Sequence, residues 1–278
     1  MKLQAFLPLI TYPDAISDSV AGNATALAAF LGADLHVSAF NVDIPNVSNA
    51  LSRMLMKLPD LIRQTEAQSR ARGEHLLAIA KAEAAERAVH VTTSTSTAGP
   101  PFLGEAAAAE ARYFDLAILG WEAGNEASRS AAEAIAFGSG RPTVMLPAST
   151  AAGPVEHVAI AWDGSRVAAR AVADAAPFLQ RAGRTTVFTV VDEKPLDDVS
   201  IADRLAASLG KRGIAAEAMS IRAEDCPIGL SLQEHALEHG ADLLVMGAYG
   251  HSAVRDFILG GATEYVFDDL KLPVLCSH

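Results

Sequence analysis

Residues 241–250 read A-D-L-L-V-M-G-A-Y-G, and after nine further positions, His251 to Leu259, the chain continues Gly260-Gly261-Ala262-Thr263. Leu243 to Met246 is an unbroken apolar run ended by a glycine, the pattern of a strand buried on both faces, as in a parallel sheet covered by helices. Outward from it, short β-branched runs at about 155–162, 185–192, 215–222 and 273–277 alternate with helical patterns at about 165–182, 198–212, 228–239 and 261–271. The order is βαβαβαβαβ, and the fold class is α/β with an open parallel sheet. Such sheets bind ligands outside the carboxyl ends of their strands, which directs attention to the loops after the first, second and fourth strands of this half. Gly247 and Gly250 followed by Gly260-Gly261 suit an anion, because glycines let backbone N–H groups approach it and a helix N-terminus adds unpaired donors and a positive dipole end. A plain turn followed by an ordinary helix would use the same glycines, and spacing alone leaves both readings open.

The first half repeats this pattern. Phe114-Asp115-Leu116-Ala117-Ile118-Leu119-Gly120 matches Ala241 to Gly247 at a distance of 127 residues, and Pro142-Thr143-Val144-Met145-Leu146 matches Pro273 to Ser277 at 131. Phe30-Leu31 and Asn41-Val42-Asp43 likewise match Phe178-Leu179 and Val190-Val191-Asp192. The chain therefore reads as a tandem duplication with domains at 1–147 and 154–278, joined through the small-residue and proline stretch Ala148 to Pro154. Asp43 to Gly120 spans 77 positions where Asp192 to Gly247 spans 55, so the first copy carries an insertion, read as helix from about Ser48 to Ala88 with an interruption near Pro59. Lys2 followed by Leu3 to Ile10 superficially resembles a secretory signal. The apolar run is too short and lacks a small-residue cleavage site, and the repeat needs it as a first strand.

Composition excludes several function classes. Of 278 residues half are apolar and 20% charged, enough for a packed core. The net charge of -11 is the wrong sign for gripping a phosphate backbone or an anionic membrane, so neither nucleic-acid nor membrane partners are expected. No apolar stretch approaches the roughly 20 residues of a membrane span. Two cysteines, Cys226 and Cys276, fit a reducing compartment, which makes the cytoplasm the expected location. The charge is uneven: 15 acidic and 11 basic residues precede Ala151, while 18 acidic and 11 basic follow from there, so the half with the glycine spacing is the more acidic. An anion would have to be held there by local donors, not by overall charge.

The spacing G-x2-G-x9-G through Gly247, Gly250 and Gly260, between a fourth strand and a last helix, resembles the universal stress proteins. The resemblance covers both halves and implies two tandem open parallel-sheet α/β domains, Rossmann-like and of the adenine nucleotide alpha hydrolase type, forming a pseudo-dimer whose last strands pair. It implies an adenine nucleotide, ATP or AMP with or without Mg2+, in the second half. Ala161, Trp162 and Asp163 would line the adenosine side, Val190 would meet adenine through its backbone, and Met246, Gly247, Tyr249 and Gly250 would continue the pocket. Gly260, Gly261 and Ala262 would hold the phosphates. Gly261 stands where the family pattern has Ser or Thr, removing one hydroxyl contact worth about 1 kcal/mol. In the first half Gly120 is followed by Trp121, the loop is shorter, and Arg129-Ser130 align with Gly260-Gly261, so that site is expected to be degenerate. The resemblance further implies a stress-response sensor or adaptor with protein partners and a further homodimer as an option.

Asp163-Gly164-Ser165 precedes a helix and suits capping without any ligand. His235 and His239 are four apart on a helix but have no third metal ligand in their vicinity, and His239 fits a helix C-terminus. His251 and Arg255 could meet a phosphate or simply be solvated. The Leu51, Met54, Leu55, Leu58 stripe reads as a packing face, and Thr92 to Thr97 as an exposed strand or loop. No phosphate loop, dinucleotide fingerprint or nucleophile elbow is present, Cys226 has no activating partner, and no catalytic residue can be assigned.

Overall fold

The computed structural model describes residues 2–45, 58–192, 200–223, 225–248 and 261–278. The first half runs β1 (Gln4–Ile10), α1 (Ser19–Leu31), β2 (Asp34–Val42), α2 (Leu58–Glu86), β3 (Val91–Ala98), α3 (Leu103–Ala111), β4 (Leu116–Trp121), α4 (Glu126–Gly138) and β5 (Thr143–Pro147). The second runs β6 (His157–Ala161), α5 (Arg166–Asp174), α6 (Ala176–Leu179), β7 (Arg184–Val190), α7 (Ile201–Gly210), β8 (Ala216–Ile221), α8 (Ile228–Glu238), β9 (Leu243–Gly247), α9 (Gly261–Asp268) and β10 (Val274–Ser277). The single helix expected over 165–182 is two: Pro177, which cannot donate a helical hydrogen bond, sits in the first turn of α6 just past the end of α5. Leu3 to Ile10 supplies a strand, and Thr92 to Thr97 lies in edge strand β3, paired parallel to β2. α2 carries the expected helix from Leu58 onward with Pro59 near its described start, and the part expected before Leu58 falls outside the described residues. Leu51, Met54 and Leu55 fall outside the described residues.

The strands form one sheet in the order β3-β2-β1-β4-β5-β10-β9-β6-β7-β8, a sequence with mirror symmetry about the β5–β10 junction. Pairing is parallel everywhere except at that junction, where Thr143, Val144 and Met145 face Cys276, Leu275 and Val274 antiparallel. All six are buried, so the junction is a hydrophobic core continuous across the halves. The aspartates before the matching apolar runs do the same work twice. Asp115 accepts the Gln4 N–H at 2.9 Å, and Asp242 accepts those of Glu156 and His157, both at 2.9 Å, tying each fourth strand to the start of its half's first strand.

The matching glycines also share a role. A Cβ on Gly247 would lie 2.6 Å from the Ala168 backbone nitrogen and 2.6 Å from the Val167 carbonyl carbon, in the first turn of α5. One on Gly120 would lie 2.4 Å from Val20 Cγ2 in the first turn of α1. Each glycine, near the carboxyl end of its strand, lets a helix seat directly on that strand.

Buried His157 sets its Nε2 2.9 Å from Thr186 Oγ1, which in turn hydrogen-bonds Glu217. Burial, reinforced by the Arg184 charge, holds the imidazole below its ordinary pKa of 6.5. The unfolded chain therefore takes up this proton more readily than the folded one. The stability it contributes is present above the ordinary histidine value and is lost as pH falls below it. His157→Gln is expected to flatten the pH dependence of the melting temperature between about pH 7 and 5, measured by circular dichroism. Of the two cysteines, Cys226 is exposed, whereas burial pushes the Cys276 thiol up to about 12.

Candidate functional site

At the carboxyl end of the second half's strands, the turn after β6 is built locally. Asp163 Oδ1 accepts the Ser165 N–H at 2.9 Å, Gly164 adopts a φ of +75°, and the Ser165 hydroxyl caps α5 by accepting the Ala168 N–H at 3.2 Å. Asp163 is exposed and Ser165 is the cap, so the carboxylate shapes the turn that precedes the helix. Trp162 follows β6, donates its N–H to the Phe188 carbonyl at 2.8 Å and accepts from the Thr189 hydroxyl at 2.9 Å. Its side chain is half-buried and packs against the core between the sheet and α5/α7. Ala161 and Val190 end β6 and β7, half-buried. Met246 is buried against the opposite core, so only its backbone can reach a ligand.

Gly261 opens α9 and is exposed; a Cβ there would meet nothing within 4 Å, so the serine or threonine of the glycine pattern would fit. Ala262 is half-buried beneath α8, where a Cβ on Gly229 would lie 2.4 Å from its carbonyl oxygen. The first turns of α8 and α9 therefore touch. Tyr249, Gly250 and Gly260, with His251 and Arg255, lie outside the described residues.

An open cavity of about 610 Å³ adjoins these two helix starts, lined by Asp192, Arg222, Ala223, Asp225, Cys226, Pro227, Ile228 and Gly261. That volume lies within the roughly 300–1,000 Å³ of small-molecule sites. Of the expected site residues that are described, Gly261 is the one among those lining it. Arg222, the one basic residue among the described lining positions, belongs to the loop after β8, the third strand of its half, whereas the open-sheet rule points to the loops after the first, second and fourth. Its signal was present as the polar run Arg222-Ala223-Glu224-Asp225-Cys226-Pro227 between a strand and a helix. Arg222 is exposed, and Asp192 Oδ1 accepts the Ala223 N–H at 2.8 Å, which fixes the loop beside β7. α8 starts behind Pro227 without a side-chain cap, leaving first-turn N–H groups toward the cavity.

The matching end of the first half is filled. α2 lays Ser69 against Thr11 at 2.6 Å and against the Val42 N–H at 2.9 Å, while Glu66 takes the Ile44 N–H at 3.0 Å. Gly73 permits this seat, since a Cβ there would lie 2.6 Å from Asn41 Oδ1. Among the described residues, a cavity of about 20 Å³, room for about one water molecule, lies beside Gly120 and Asn125. Arg129 is inside α4, whose cap is Asn125, accepting the Ser128 N–H at 3.0 Å.

His235 and His239 each place Nδ1 2.8 Å from a backbone carbonyl one turn earlier, on Ser231 and His235, and His239 forms the end of α8. Among the described residues, no group of three or more His, Cys, Asp or Glu side chains is arranged to hold a metal ion. No helix among them is long and apolar enough to cross a membrane.

Comparison with known proteins agrees with this architecture. The sequence signature of the Universal stress protein family matches residues 154–278. A universal stress protein from Archaeoglobus fulgidus DSM 4304 superimposes with a TM-score of 0.66 at 14% identity, over 99% of this chain and 97% of that one. One from Pseudomonas aeruginosa UCBPP-PA14 gives 0.58 at 15% identity, over 99% and 93%. A search of curated protein sequences finds no match. The family signature thus marks the second half of the chain, residues 154–278, and the fold of these universal stress protein structures is shared over its whole length.

Proposed function

We propose that the chain is a stress-response sensor or adaptor that binds an adenine nucleotide, ATP or AMP, in its second half, with domains at 1–147 and 154–278. The observation that carries this reading is the cavity of about 610 Å³ at the carboxyl ends of β7 and β8, bounded by the start of α9 at Gly261 and by Arg222. A polyphosphate suits it because donors from two helix starts and one guanidinium face a single space. Ala161, Trp162, Asp163 and Val190 would then flank the nucleoside through their backbone, Met246, Gly247, Tyr249 and Gly250 would continue the wall, and Gly260, Gly261 and Ala262 would meet phosphate. Asp192 and Asp225 are the carboxylates at the cavity that would face a Mg2+ carried in with ATP. Their charges oppose a bare anion, so ATP with Mg2+ fits this lining better than ATP alone. Binding would take place in the cytoplasm, and bound nucleotide would alter the surface offered to protein partners.

A specific observation favours a second reading, an interaction scaffold without nucleotide: Gly247 has a packing role shared with Gly120, and Trp162 is committed to the core. Calorimetric titration of the full chain with ATP and with AMP separates the two. The nucleotide reading expects saturable binding that Gly250→Val weakens by at least about tenfold, the scale of a lost backbone approach to phosphate. No heat at millimolar ATP would leave the scaffold.

A further inference from the structure

We infer that the first half holds α9 in place through Trp121 and Arg129, positioning residues for the site proposed at the other end of that helix. Both occupy places where the second half has its glycine loop. Trp121 follows Gly120 as Ala248 follows Gly247, and Arg129 stands 131 residues before Gly260. In the first half these two positions reach across the β5–β10 junction instead. Trp121 Nε1–H, buried, donates to the Phe267 carbonyl at 3.0 Å. Phe267 lies in the last turn of α9, where carbonyls lack helical partners, so the indole caps one of them. Arg129 forms an ion pair with Asp268, the last residue of α9, while its Nε is held by Glu133 at 3.0 Å. A cation at that end also suits the helix dipole. Phe137, from the same helix as Arg129, packs at a tilt against Phe267 with ring centroids 5.8 Å apart and meets His278 edge-on at 5.7 Å. His278 Nδ1–H in turn donates to the Ala248 carbonyl at 3.0 Å, at the point where the glycine loop leaves β9.

α9 has eight residues, a rod of about 12 Å at 1.5 Å per residue, so fixing its end and axis fixes Gly261. From its own half it is met by Gly229 at Ala262, and just beyond its end by Gln233, which donates to the Asp269 carbonyl and accepts the Lys271 N–H, both at 2.8 Å. Among these contacts, those on Phe267 and Asp268 come from the first half. The first half thus contributes to the site of the other half by orienting a helix.

The ligand part of this inference rests on the nucleotide reading, and amide hydrogen exchange tests the positioning without any nucleotide. In the full chain, Trp121→Phe and Arg129→Ala are each expected to reduce protection over 261–268 by about three- to tenfold, the range of one hydrogen bond, with residues 228–238 of α8 unchanged. Arg129→Lys, which keeps the cation, is expected to restore most of it. With ATP as the probe, the same two variants are expected to raise Kd by a similar factor, and Arg129→Lys to recover it. Unchanged protection over 261–268 in both variants overturns the proposal, as does a loss spread evenly over the whole chain. If wild-type protein fails to take up ATP, the nucleotide reading falls and exchange still decides whether the first half orients α9. Should Trp121→Phe not fold, Arg129→Ala at a partly exposed position decides alone.

Discussion

Replacing Gly247 by alanine is expected to destabilise the chain by about 3 kcal/mol, at the upper end of the range for overpacking, whether or not nucleotide is present. The new methyl would sit 2.6 Å from both the Ala168 nitrogen and the Val167 carbonyl carbon. These are backbone atoms in the first turn of a capped helix, so no rotamer change relieves the contact. α5 must lift off β9, and the buried contacts it makes with Leu243 and Val245 on that side of the sheet are strained with it. Gly120→Ala should cost less, because its near neighbours are the side-chain methyls of Val20 and Ile16, which can yield a little. Gly261→Ala meets nothing within 4 Å and should leave the urea midpoint within about 0.5 kcal/mol of wild type. The three midpoints, measured at a common m-value, give the ranking 247, 120, 261 in decreasing cost. A Gly247→Ala protein as stable as wild type would show that the α5 seat on β9 is not close-packed and would return that glycine to the ligand. The expected ranking assigns Gly247, like Gly120 in the first half, to packing and concentrates the case for a ligand on the start of α9.

Much of the architecture was legible because parallel strands are covered on both faces and therefore appear as unbroken apolar runs. Leu243 to Met246 and Leu116 to Leu119 could be recognised as strands in isolation, and their fixed separation exposed the duplication. A boundary was legible where a side chain makes it, as at Ser165 capping α5. The break at Pro177 was available but outvoted by a helical pattern that continues on either side of it. Pairing of the last strands came from family resemblance, since nothing in Pro142–Leu146 or Pro273–Ser277 specifies an antiparallel neighbour. The site was less legible for a physical reason. A motif glycine is visible to sequence reasoning whether it clears space for an anion or for a helix, and only the distances to Val167 and Ala168 tell these apart. Arg222 was missed because it carries no motif, and its relevance arises from a loop brought beside α9 by the strand order β9-β6-β7-β8. The closure of the first half was half visible: the insertion was evident by length, but that Ser69 and Gly73 would fit onto Thr11 and Asn41 depends on side-chain contacts between segments far apart in the chain.

Arg222→Glu is expected to reduce ATP affinity by about a hundredfold, with the melting temperature of the free protein unchanged within about 1 °C. The affinity estimate combines a lost charge-assisted hydrogen bond, about 1.5–3 kcal/mol, with the repulsion of a new carboxylate placed among Asp192 and Asp225. The unchanged stability follows from exposure: the guanidinium makes no ion pair among the described residues, and removing it leaves no buried group unsatisfied. Arg222→Lys should fall between the two, because a point charge persists without the two-pronged geometry. The effect should also shrink as salt rises, since the cavity is open and its charges are screened over about 10 Å at 0.1 M. Comparing ligands locates the contact along the nucleotide. If Arg222 faces the terminal phosphates, the loss is larger for ATP than for AMP; if it faces the first phosphate, the two fall together. Equal ATP affinity in wild type and Arg222→Glu would place the ligand away from this cavity, at the strand ends formed by Ala161 and Val190, and would leave the negative charge of the second half to be offset by backbone donors alone.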